Sequence, residues 1–91
     1  MDDFELSKEL REKYIVRRWE DLEHCRGAIE KGDYALLTRI GHNLKGNAAS
    51  YGFDQLGQIG AELEVAGRAG DLPATQRLLV AFKDFLDQVK I

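Results

Sequence analysis

A histidine with a lysine three residues on and a glycine four residues on stands at the centre of this chain, in Gly41-His42-Asn43-Leu44-Lys45-Gly46-Asn47-Ala48-Ala49. On a helix, positions i, i+3 and i+4 lie side by side. Helical side chains lean toward the N-terminus, so residue i+4 ordinarily crowds the ring of residue i. Gly46 removes that obstruction from His42. A glycine inside a helix costs about 1 kcal/mol relative to alanine, so its place here calls for a reason. Lys45 supplies a cation able to reach an anion carried on the ring. A neutral imidazole is a good nucleophile near neutral pH, and its N-phosphoryl adduct is labile enough to pass the group on. The three residues together suit a histidine that is charged with phosphate and emptied again.

The helix that must carry them sorts its own faces. Leu37, Ile40, Leu44, Ala48 and Tyr51 keep the three-and-four spacing of a buried stripe. His42 falls roughly 170° from the centre of that stripe at ~100° per residue, on the solvent side. Its neighbours there are small or cationic: Ala35, Thr38, Arg39, Lys45, Gly46 and Ala49. A lone histidine on a polar helix face is most often a solvated residue with no role; the lysine and glycine at these offsets reverse that reading. Ala35, Thr38, Arg39 and Ala49 form a flat surface on which a partner could dock.

With Tyr51-Gly52-Phe53 following it, His42-Asn43-Leu44-Lys45-Gly46 resembles the histidine-containing phosphotransfer (HPt) domain of two-component phosphorelays. The resemblance extends to Gly32-Asp33 upstream and to Leu56, Leu63-Glu64 and Gly70-Asp71 downstream, and is weakest in the N-terminal segment. It implies that His42 is phosphorylated on a ring nitrogen and exchanges the phosphoryl group with an aspartate of a response-regulator receiver domain. It implies further that Lys45 screens phosphoryl charge and that Gly46 gives clearance. The expected partners are such a receiver or a hybrid histidine kinase. The domain needs no cofactor of its own, and magnesium is expected on the receiver.

Composition narrows the field. The 91 residues are expected to form one domain over 1–91, with a third of them charged and a single proline, Pro73. A net charge of −3 leaves no basic stripe for nucleic acid. No apolar run reaches membrane-spanning length and no secretory signal is visible, and the single Cys25 has no zinc pattern around it, which together suit a cytoplasmic monomer.

Punctuation along the chain predicts an all-α, antiparallel up-down four-helix bundle. The first helix starts near Asp3 and runs to Glu30 with Ile15, Trp19, Leu22, Cys25 and Ile29 in period; a kink would split off a short extra N-terminal helix. Gly32 stops it and Asp33 caps the histidine helix, which is expected to end near Tyr51-Gly52. A third helix carries Phe53, Leu56, Ile59, Gly60, Leu63 and Ala66 up to Gly70. Asp71 and Pro73 open the last, with Leu72, Leu79, Phe82, Leu86 and Val89 as its stripe, widened by Leu78 and Phe85.

Other candidates read as structural. His24 lacks the lysine and glycine offsets, Cys25 reads as a partly buried helix residue, and Trp19 and the phenylalanines read as core. Glu62 and Glu64 read as solvated carboxylates on an amphipathic helix, aimed at different sides. No metal site is expected, since His24, Cys25 and His42 are scattered. No phosphate-cradling glycine loop supports ATP binding, so the chain is expected to be a carrier and not an enzyme. The alternatives are an adaptor that binds a kinase or receiver without being phosphorylated, and a metal or cofactor bundle, which would need inward-facing ligands.

Overall fold

The computed structural model describes the backbone of residues 3–91 and the side chains from Lys8 onward. Four helices follow one another: α1 (Asp3–Lys31), α2 (Tyr34–Asn47), α3 (Asp54–Ala69) and α4 (Leu72–Gln88), with a 3₁₀ turn at Ala49–Tyr51 between α2 and α3. Each is packed against its sequence neighbour, and α4 returns to α1, closing the four-helix bundle. The short connections impose the antiparallel order.

Local chemistry sets the boundaries. Gly32 takes the left-handed conformation (φ 68°) that ends α1, and the next residue, Asp33, accepts the Leu36 amide at 3.1 Å to cap α2. Gly70 (φ 62°) ends α3, and the Asp71 carboxylate accepts the Ala74 amide at 3.0 Å to open α4. Helix α2 is shorter than its apolar period suggests. It stops at Asn47, and the chain tightens into the 3₁₀ turn before Gly52 reverses it at φ 86°. Tyr51 and Ala49 therefore belong to this turn and not to the histidine helix.

The core is a single cluster drawn from all four helices, with Leu22, Cys25, Leu37, Leu44, Leu56, Leu63 and Phe82 almost fully buried. Two expectations about α4 and α1 need correcting. Leu72 is 40% exposed, and the buried position one turn on is Thr75, whose hydroxyl donates to the Leu72 carbonyl at 2.8 Å. No separate N-terminal helix occurs among the described residues, because α1 is continuous from Asp3.

Helices α2 and α3 make the closest pairing, and glycine is the reason. A Cβ on Gly41 would lie 2.5 Å from the Glu64 amide nitrogen, and one on Gly60 would lie 2.5 Å from the Leu44 Cβ. At Gly67 the same atom would meet the Thr38 hydroxyl at 2.5 Å and the Thr38 nitrogen at 2.8 Å. The two backbones touch along this row, and no side chain larger than hydrogen fits between them.

Candidate functional site

Gly41 faces the Glu64 backbone, so the next residue, rotated by ~100°, stands at the lip of the α2–α3 seam. That residue is His42, with its side chain 61% exposed. Glu64 is the residue opposite, and its side chain is 5% exposed. The carboxylate reaches out of the seam and meets the ring: Glu64 Oε2 lies 2.8 Å from His42 Nδ1. An ionised carboxylate can only accept, so Nδ1 is the donor in this contact, and in the neutral ring the lone pair is on Nε2.

The other carboxylate oxygen is taken by Lys45, whose Nζ lies 2.8 Å from Glu64 Oε1. Arg68, one turn further along α3, places NH2 3.1 Å from Oε2. The Lys45 ammonium, together with His42 and Arg68, holds the Glu64 carboxyl below the ordinary glutamate value of 4.5 against the opposing cost of burial. Two cations around one carboxylate leave this patch net positive, which suits an arriving phosphoryl group.

Gly46 is exposed, and a Cβ built on it would meet nothing within 4 Å. Unlike Gly41, Gly60 and Gly67, it serves no packing contact. On the helix surface it lies one turn beyond His42, four residues back.

The anticipated docking residues divide between two environments. Ala35 and Arg39 are exposed and share the His42–Gly46 strip at i−7 and i−3. Arg39 forms no ion pair among the described residues. Thr38 is half-buried at the seam, with its hydroxyl donated to the Tyr34 carbonyl at 2.7 Å, while Ala49 is exposed on the 3₁₀ turn.

Glu64 is the residue that sequence reasoning misplaced. It is not a solvated carboxylate but the buried hub of the site, and Arg68 joins it. The signal lay in the spacing Gly60-x-x-x-Glu64-x-x-Gly67, which puts Glu64 inside the glycine row that marks the tightest helix contact. Glu62 and His24 are exposed, as expected. Cys25 is fully buried and not partly so, and burial pushes its thiol up to about 12.

Among the described residues no three His, Cys, Asp or Glu side chains are grouped to hold a metal ion. No helix there is long and apolar enough to cross a membrane. A search of curated proteins and a search of solved structures each return no match. A family model described as the Hpt domain matches residues 9–91.

Proposed function

Because this chain belongs to the Hpt-domain family, whose role is phosphotransfer in two-component signalling, we propose that it is a phosphorelay carrier with His42 Nε2 as its phosphoacceptor. One observation carries the reading: the exposed ring of His42 has its Nδ1 tied to the Glu64 carboxylate, which in the neutral ring leaves the lone pair on Nε2.

The partner is a receiver domain bearing an aspartyl phosphate, or a kinase that includes one. The Nε2 lone pair attacks phosphorus; the N–P bond forms as the acyl-phosphate O–P bond breaks, and the aspartate leaves as a carboxylate. The Nδ1 proton stays in place. The ring becomes a phosphoryl-imidazolium, and its charge is balanced by Glu64 at 2.8 Å. Lys45 lies on the same carboxylate and can turn its ammonium toward the transferring oxygens, while Gly46 leaves them space. The chain provides positioning and charge; the acidic pocket and its magnesium belong to the partner. The strip Ala35–Arg39–His42–Gly46, flanked by Thr38 and Ala49, is the face presented to it.

Incubating the chain with a panel of phosphorylated receivers and following label onto histidine tests this. Acid-labile, base-stable label is expected, and His42→Gln is expected to abolish it with the helical circular dichroism intact. Label that persists on His24 in that variant refutes the assignment.

A further inference from the structure

Helix α1 is out of proportion to the bundle. Its 29 residues span about 43 Å at 1.5 Å per residue, against at most 17 residues in any other helix. The molecule is 45 Å long and 18 × 17 Å in section, so α1 sets the length and its first turns project past the bundle. Tyr14 is the first buried side chain described on α1. Its hydroxyl donates to Asn47 at the C-terminal end of α2.

A groove of about 410 Å³ opens where the projecting helix meets that end of α2. Its floor is the stacked pair Tyr14 and Tyr51, with ring centroids 4.2 Å apart, and Asn47. Its wall is cationic: Lys13, Arg17 and Arg18 line it, and no carboxylate does. Arg18 places its guanidinium carbon over the Tyr14 ring, 4.3 Å from the centroid, and pairs with Asp21 at 2.9 Å. Lys13 makes one exposed contact, to Glu9 at 3.6 Å, and Arg17 forms no ion pair among the described residues. A second groove continues the first around Leu10 and Tyr51 and adds Arg11, which is stacked 5.2 Å from the Phe53 ring centroid with a buried Nε that has no hydrogen-bond partner. Leu10 itself is 47% exposed.

This cluster runs against the chain's net charge of −3. A uniformly acidic surface would repel an acidic partner, whereas a local cationic rim attracts one and fixes its orientation. Guanidinium groups pinned over aromatic rings lose less freedom on binding than free arginines would. Asn47 lies five residues beyond His42, about 7.5 Å along the helix axis and ~140° round it, so a receiver seated over His42 reaches the groove by lapping over the C-terminal end of α2, within an interface of ordinary size.

We propose that the projecting end of α1 and the C-terminal end of α2 form a cationic docking groove for a carboxylate-rich surface of the receiver partner, adjoining but distinct from the histidine strip. This rests on the carrier reading and adds to it the element that selects the partner. Lys13 and Arg17 steer and orient the receiver, and Tyr14 and Tyr51 form the floor against which it settles.

The test is the second-order rate constant for phosphoryl exchange between the full chain and a receiver that exchanges with it. The charge-reversed variant Lys13→Glu/Arg17→Glu is expected to lower that constant by about tenfold or more at low salt, with the deficit shrinking as salt is raised. Lys13→Gln/Arg17→Gln is expected to fall between. Both residues are exposed, so helical circular dichroism should not change, and labelling of His42 by phosphoramidate, a small donor that needs no docking, should be equal in all three proteins. An unchanged exchange constant, or a deficit that is the same at every salt concentration, overturns the groove. Failure of the unsubstituted chain to exchange with any receiver overturns the carrier reading itself, a separate result.

Discussion

Glu64 shares two oxygens among three partners, and this division of labour decides what each substitution at the site does. Glu64→Gln keeps an oxygen for Nδ1 but gives up the charge and offers Lys45 no second acceptor, whereas Glu64→Ala gives up both. Transfer should therefore fall in the order wild type, Gln, Ala. The ¹⁵N shifts of the His42 ring at neutral pH should move from the Nδ1–H tautomer toward a mixture only in the alanine variant. Equal loss in both with no change of tautomer would show that the carboxylate does not orient the ring. The pH dependence has a definite sign. The carboxyl is depressed below 4.5, chiefly by Lys45, so whatever it contributes to stability is complete above that value and is lost as pH falls through its lower folded value. The ¹³C titration of the Glu64 carboxyl should have its midpoint below 4.5 in the wild type and a higher one in Lys45→Ala. The same lysine variant should slow single-turnover transfer with little loss of stability, since Lys45 is about half exposed.

Helix α2 carries two glycines whose roles are opposite, and the contrast tests the element as a whole. At Gly41 a methyl group would press on the Glu64 and Gly60 backbones, which cannot yield as a flexible side chain would. Gly41→Ala should destabilise the fold by about 1–3 kcal/mol and pull Glu64 away from the ring. At Gly46 the added atom meets nothing, so Gly46→Ala should stabilise the helix by up to about 1 kcal/mol. Gly46→Gln should keep that stability and obstruct phosphorylation of His42; full transfer in it would sink the clearance role. Thermal denaturation of the three variants checks the signs. The helices and their caps at Asp33 and Asp71 were legible in the sequence, because apolar period and capping chemistry are local properties. The exposed placement of His42 was legible for the same reason. The close approach of α2 and α3 was not, since three glycines spread over two helices acquire their meaning only when the backbones meet. Glu64 was lost with them: its neighbours in sequence say solvated face, and its neighbours in space say buried hub. The early end of α2 at Asn47 and the exchange of Leu72 for Thr75 as the buried residue likewise follow from tertiary packing overriding a local period.

At the scale of the whole molecule, the closed ring of helices packs one core, and burial raises two titratable groups within it or at its edge. Cys25 is fully buried, and burial, with a smaller contribution from Asp21, pushes its thiol from 9.0 up to about 12. Burial also raises the Tyr14 hydroxyl above its ordinary 10.0, with Arg18 working in the opposite direction. Both groups hold their protons in the folded chain at a pH where the unfolded chain releases them. Stability from the thiol is therefore complete below 9.0 and declines as pH rises toward about 12, at a slope approaching about 1.4 kcal/mol per pH unit for one proton. Cys25→Ala replaces the thiol with a smaller side chain that cannot titrate. It should be less stable than the wild type at pH 7, because it leaves a cavity in the core cluster, yet its stability should fall less steeply above pH 9. Tyr14 adds to the slope as pH approaches and passes 10.0, and the double variant with Tyr14→Phe should flatten the curve there. Urea denaturation from pH 7 to pH 10.5 measures both slopes; parallel curves for wild type and Cys25→Ala would mean that the core opens enough to let the thiol titrate as it does in the unfolded chain. In a tight core the same thiol should react with iodoacetamide only at the rate of global unfolding, while His42, exposed on α2, stays open to its donor throughout.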